Sequence, residues 1–269
     1  MAEKKKKQFG RILIGVGIAL AAIIIVCLVL VYRAGRVSAP EEIPILTTTS
    51  TTTMTTTVTT TVTTTTTVTY DYDMQIDMEK VKQYHEANAD VVGWVYVNDT
   101  PINYPIVQSK DNEFYINRDW QKNHSYAGSI FEDFRGDINE TNGTLLYGHN
   151  MGDGSMFHSV KDFKEEAWGK EHIYFEVASL EKRYLYRIVA SAVLNGEEGA
   201  AFDYWNRIDM TEDEYKKYIE EIRTNALVWY APEDDLPTYE DRMIALQTCN
   251  SGADDGIRCV LFGQCLGAY

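Results

Sequence analysis

The chain has 269 residues, 45% of them hydrophobic, and a formal net charge of −15, which allows one domain of ordinary size with appendages. The first 33 residues carry a net charge of +5, leaving −20 on the rest. So acidic a body repels nucleic acid and anionic lipid, and no basic patch reverses that, so a nucleic-acid-binding role is excluded.

Ile12 to Val31 is a run of 20 uncharged, mostly apolar residues. As a helix it would span about 30 Å, the thickness of a bilayer's hydrocarbon core. Lys4, Lys5, Lys6, Lys7 and Arg11 precede it, and only Arg33 and Arg36 follow closely. That asymmetry predicts a cytoplasmic tail over 1–11, a transmembrane anchor over 12–31, and an extracellular remainder in a single-pass membrane protein. A cleaved signal peptide is the competing reading, because Val37-Ser38-Ala39 resembles a cleavage site. The length of the run and Pro40 directly after that site favour the anchor.

Residues 32–76 are expected to form a stalk. From Thr47 to Thr69, 18 of 23 residues are Thr, with Met54, Val58 and Val62 at intervals of four. Such a segment has too little large apolar surface to offset its ordering entropy, so it is expected to act as a spacer. The folded domain is assigned to 77–269. Asp77 to Ala89 has an acidic cap and apolar groups at Met78, Val81 and Tyr84, predicting a short helix.

Strands are predicted at Val91–Val97, Ile102–Val107, Gly128–Phe134, Thr144–Tyr147, His172–Val177, Tyr184–Leu194, Arg242–Thr248 and Ile257–Leu266. Asn98-Asp99 and Ser179-Leu180-Glu181-Lys182 supply turns, and Asn112–Trp120 reads as loop or short helix. Thr211 and Glu214 form a capping box for the clearest helix, whose apolar face is Tyr215, Tyr218, Ile219, Ile222 and Ala226. Eight strands with few, separated helices give a mostly β fold, a barrel or a sandwich.

Three of the four cysteines fall in the last 21 residues, which is no disulfide framework; Cys259 and Cys265 read as buried strand residues. Cys249 closes one strand and Arg258 opens the next across a short polar loop. Pairing of those strands would bring the guanidinium beside the sulfur, where a fixed positive charge favours thiolate and stabilises an oxyanion. His149 stands at the end of the apolar strand Thr144-Leu145-Leu146-Tyr147-Gly148, and its imidazole suits proton transfer near neutrality. Taken singly, each of the three also has a structural reading as a core thiol, a surface charge or a loop histidine. Strand-end placement of all three favours chemistry.

Thr144-Leu-Leu-Tyr-Gly-His-Asn-Met, then Gly-Ser-Met-Phe157, Leu246-Gln-Thr-Cys249 and Arg258 resemble the sortase family, specifically class B. Gly93-Trp94, the Ile102–Gln108 stretch, Gly128-Ser-Ile-Phe-Glu-Asp-Phe134 and the capped helix fit the same resemblance. It covers Asp77 to the C-terminus. It implies an eight-stranded β-barrel transpeptidase with no metal or other cofactor. Its partners would be secreted proteins bearing a C-terminal sorting signal of Asn-Pro-x-Thr type and a peptidoglycan amine. By the same resemblance Cys249 attacks the Thr carbonyl, His149 shuttles the proton and Arg258 stabilises the oxyanion, helped by a backbone N–H beside Cys249. Thr248 and Asn250 are expected substrate contacts. Many class B members have Asp where this chain has Asn250, which leaves two readings, an orienting partner for His149 or a turn residue. A cysteine endopeptidase, resolving the acyl-enzyme with water, and a wall-associated adhesin are the alternatives.

Overall fold

The computed structural model describes residues 70, 72–251 and 255–269. The predicted stretches Ile12–Val31 and Thr47–Thr69 lie outside them. Among the described residues no helix is long and apolar enough to cross a membrane. The expectation of a single-pass membrane protein held by an N-terminal helix is therefore corrected: the structure does not support it.

The strands are β1 (Val91–Val97), β2 (Asn103–Val107), β3 (Ile130–Glu132), β4 (Gly143–Tyr147), β5 (Tyr174–Ser179), β6 (Arg183–Asn195), β7 (Ala226–Trp229), β8 (Met243–Cys249) and β9 (Ile257–Ala268). They hydrogen-bond in the order β5-β1-β2-β3-β4-β8-β9-β6, and β6 pairs back onto β5. This closes an eight-stranded barrel. Strand β7 lies outside the ring, on the part of β6 beyond its pairing with β5. Closure removes the unpaired edges that an open sheet would expose.

Two of the pairings are parallel, β2 with β3 and β4 with β8. Along β4 and β8 the register is Leu145↔Ala245, Leu146↔Leu246 and Tyr147↔Gln247. Along β8 and β9 it is Ala245↔Phe262, Gln247↔Val260 and Cys249↔Arg258. Because side chains alternate between faces, residues at matched register share a face.

One face looks into the barrel, where Val95, Ile106, Leu146, Val177, Ile188, Leu246 and Leu261 pack together. The other carries Leu145, Ala245, Val260 and Phe262 under the helix α3 (Glu212–Asn225). Covered on both sides, β6, β8 and β9 read as near-continuous apolar runs. Helix α3 begins at the predicted capping box, with Thr211 and Glu214 bonding reciprocally. It buries Tyr215, Tyr218 and Ile222 against this face. Helix α1 (Met78–Ala87) is capped by Asp77 and buries Val81 beside Trp94 and Ala178. A short helix, α2 (Glu166–Glu171), follows the 3₁₀ turn His158–Lys164.

The folded body starts before position 77. The backbone N–H groups of Gln75 and Ile76 both donate to the buried Glu176 carboxylate, at 2.6 and 3.0 Å. Residues 75 and 76, expected in the stalk, are thus fastened to β5.

Candidate active site

Cys249 ends β8 and is half-buried. Its register partner on β9 is Arg258. On the other side of β8 runs β4, and the parallel ladder continues one step past it, with the Gly148 N–H donating to the Gln247 carbonyl at 3.1 Å. His149 follows just past the end of β4, and its neighbour Asn150 donates its side-chain amide to the Cys249 carbonyl at 3.0 Å. The outer face carries successive rows, first Leu145, Ala245 and Phe262, then Tyr147, Gln247 and Val260, then Cys249 and Arg258, with His149 beyond the last paired residue of β4. The first row is sealed under α3. The last sits at the strand ends, where the barrel opens to solvent and the side chains of His149, Cys249 and Arg258 are partly exposed.

The imidazole is held from the far side. His149 Nε2 lies 2.8 Å from the Ile116 carbonyl, in the 3₁₀ turn Phe114–Asn117. A carbonyl only accepts, so Nε2 carries the proton and Nδ1 is the nitrogen left to take one. Gly128 makes that contact possible. Its φ is +60°, and a Cβ there would lie 2.4 Å from the Ile116 oxygen. Two of the other histidines are engaged elsewhere: His85 bonds the Val91 carbonyl, and His172 stacks on Trp168.

The guanidinium is set by a loop with no motif. Gly196 donates its N–H to the Gly256 carbonyl at 2.8 Å, and a Cβ on Gly196 would be 2.7 Å from Arg258 Cγ. Tyr204, 2% exposed, donates its hydroxyl to Gln247 Oε1 at 2.7 Å. Burial pushes its phenol well up, opposed by the nearby Arg258 charge and reinforced by Cys249. The turn that carries Tyr204 is anchored by Arg135, which donates to the Trp205 carbonyl and to Asn206. Arg135 also pairs with the buried Asp133, which accepts from Tyr147. Burial alone would raise the Asp133 carboxyl. The Arg135, Tyr147 and Asn112 hydrogen bonds outweigh it and hold the group below the usual carboxylate range.

Thr248 and Asn250 stand apart from this row. Thr248 is 2% exposed and pairs with Cys259 on the barrel-interior face, opposite to Cys249. The Asn250 side chain accepts from Lys164 Nζ at 2.5 Å and from Cys259 Sγ at 3.2 Å. These partners draw it away from His149, whose ring is held by the Ile116 carbonyl. The Asn250 N–H donates to the Ile257 carbonyl at 3.0 Å, so that candidate oxyanion donor is already bonded. Cys259 is buried as expected, and burial raises its thiol despite the Lys164 hydrogen bond; Cys265 is only half-buried. No group of His, Cys, Asp and Glu suited to a metal ion occurs among the described residues. Gly196 and Tyr204 went unnoticed in the sequence, while Asn150 and Gln247 stood in the quoted motifs without an assigned role. Gln247 had a usable signal, two positions before the cysteine on the same strand face, and Asn150 another, directly after His149.

A closed barrel with a thiol ending a central strand, an imidazole on its parallel neighbour and a guanidinium on its antiparallel one has the layout of a β-barrel cysteine transpeptidase. No family model matches the chain. It is 31% identical over 164 residues to sortase B of Staphylococcus aureus, covering 60% of this chain and 64% of that protein. It is also 31% identical over 178 residues to sortase B of Listeria monocytogenes, covering 65% and 69%. Among solved structures, the Staphylococcus aureus sortase B–substrate complex superposes with a TM-score of 0.63 at 25% identity, over 70% of this chain and 85% of that one. The chain belongs to the sortase family, class B.

Proposed function

We propose that this chain cleaves a C-terminal sorting signal of secreted proteins after Thr and joins the Thr carbonyl to a peptidoglycan amine. The folded body, from Gln75 onward, is the catalytic domain in this reading, and the Thr-rich stretch before it serves as a spacer. The observation that carries it is that Cys249 faces Arg258 across the β8–β9 ladder while His149 follows the end of β4, the parallel neighbour of β8, with Asn150 next to it bonded to the Cys249 carbonyl. The Cys249 thiol passes its proton to His149 Nδ1 as its sulfur attacks the Thr carbonyl carbon, forming a C–S bond, and charge collects on the oxygen. Arg258, directly across the ladder from Cys249, is the fixed donor for that charge. As the C–N bond breaks, the leaving amine takes a proton from His149. An incoming wall-peptide amine then attacks the thioester and loses a proton to His149, and as the C–S bond breaks His149 returns that proton to the sulfur, restoring the thiol and the neutral imidazole. Proton donation and uptake fall to Nδ1, since Nε2 is committed to the Ile116 carbonyl.

An Asn-Pro-x-Thr type signal is the first substrate to try. Mass spectrometry of such a peptide, incubated with the chain with and without an amine acceptor, tests the reading. Amide product that grows with acceptor supports it, and its loss in Cys249→Ala ties it to the thiol. Hydrolysis alone at every acceptor concentration would replace it with an endopeptidase.

A further inference from the structure

Asn150 follows His149 and precedes Cys249 by 99 positions, yet its Nδ2 donates to the Cys249 carbonyl at 3.0 Å. The two strands that carry these residues stop pairing just before them. The β4–β8 register runs from Gly143↔Met243 to Tyr147↔Gln247, and the Gly148 N–H adds one further bond to Gln247. There the His strand turns away. The His149 carbonyl accepts from the Phe157 N–H at 3.0 Å, and Asn150 bridges to Met156. Backbone at a strand end opens easily, because few bonds hold it. The amide of Asn150 supplies the missing rung from a side chain.

We propose that Asn150 is a positioning residue that locks the His149 backbone beside Cys249 and fixes the peptide plane of the nucleophile. The Cys249–Asn250 peptide is held at both polar ends: its C=O accepts from Asn150 and its N–H donates to Ile257. With the Asn250 side chain also bonded by Lys164 and Cys259, the peptide after the sulfur has little room to rotate. This inference rests on the reading of Cys249 and His149 as the reacting pair. Its reason is geometric, since a displacement of about 1 Å at a reacting centre costs about 100-fold in rate. Asp at 150 would keep the shape but present an acceptor to a carbonyl that needs a donor.

The test is a double-mutant cycle on the full chain. The rate of Cys249 alkylation by iodoacetamide is followed at neutral pH by peptide mass mapping, which separates Cys249 from the other cysteines. His149→Ala is expected to change that rate about tenfold or more in the native background, as loss of a positioned proton carrier does. In an Asn150→Ala background the same replacement is expected to change it less than about threefold, because the imidazole is already misplaced. An equal effect of His149→Ala in both backgrounds overturns the role of Asn150 while leaving the Cys–His pair intact. No effect in the native background overturns the pair, and this inference with it. Should Asn150→Ala fail to fold, the cycle is run in Asn150→Asp, with the same two readings.

Discussion

Gly196→Ala is expected to disable the site by adding a single carbon outside it. The new Cβ would stand 2.7 Å from Arg258 Cγ and 3.4 Å from both Arg258 Nε and the Tyr204 hydroxyl. Tyr204 cannot yield, being buried and bonded to Gln247. The Gly196 backbone is bonded to Gly256 at 2.8 Å, so it resists moving as a unit. The Arg258 stem therefore has to rotate, which carries the guanidinium away from the position opposite Cys249. Overpacking of this kind costs about 1–3 kcal/mol of stability. Removing an oxyanion donor costs about 100- to 1000-fold in kcat, and since a displaced donor retains part of its effect the lower end is expected, about 3 kcal/mol in the barrier. Stopped-flow measurement of acyl-enzyme formation with a sorting peptide reads this directly. Gly152→Ala, where a Cβ meets nothing within 4 Å, is the control and should behave like the native chain. A Gly196→Ala rate within about threefold of native, in a folded protein, would refute the placement of Arg258 as the charge-stabilising group.

Two other substitutions probe the supports. Gly128→Ala forces a side chain onto a backbone at φ +60° and against the Ile116 oxygen, a strain of about 1–3 kcal/mol. Thermal unfolding should show that loss, and acylation should fall further than stability explains, because the same oxygen holds His149. Glu132 is 2% exposed, and its Oε1 has no hydrogen-bond partner. Burial, then the Asp137 and Asp133 charges, push its carboxyl up to about 8. An unfolded Glu ionises near 4.3, so between those values the unfolded chain binds fewer protons and stability falls as pH rises, on the order of 5 kcal/mol in all. Urea unfolding of Glu132→Gln from pH 5 to 9 should lack that component of the decline; parallel curves for variant and native chain would show that Glu132 is ionised in the fold.

The elements legible in the sequence were those with a strong local signal: β1, β6, β8 and β9 are near-continuous apolar, β-prone runs, α3 has one apolar stripe, and the capping box marks its start to the residue. Strand β7 was missed because Ala226 continues the apolar spacing of α3, while the backbone turns extended at Ala226 to pair with β6. The boundary at 77 was late because Gln75 and Ile76 are fixed by a carboxylate about 100 positions away, which no local pattern records. The candidate reacting residues Cys249, His149 and Arg258 were chosen by type and by strand-end position. Which way Thr248 and Asn250 point was not, since that depends on what packs behind β8. Thr248 alternates inward, and Lys164 and Cys259 draw Asn250 away from His149. Asn150, Gly196 and Tyr204, which bond or pack around the site, are ordinary loop residues until the chain folds.

The claim beneath all of this is that Cys249 is the atom to which the substrate becomes attached, with His149 and Arg258 beside it. Rapid acid quenching of the chain with a sorting-signal peptide, followed by proteolysis and mass mapping of the trapped thioester, tests it directly. The acyl group is expected on Cys249, and not on the buried Cys259 or on Cys265. An adduct on either of those, or no adduct while peptide is still being cleaved, would contradict the account.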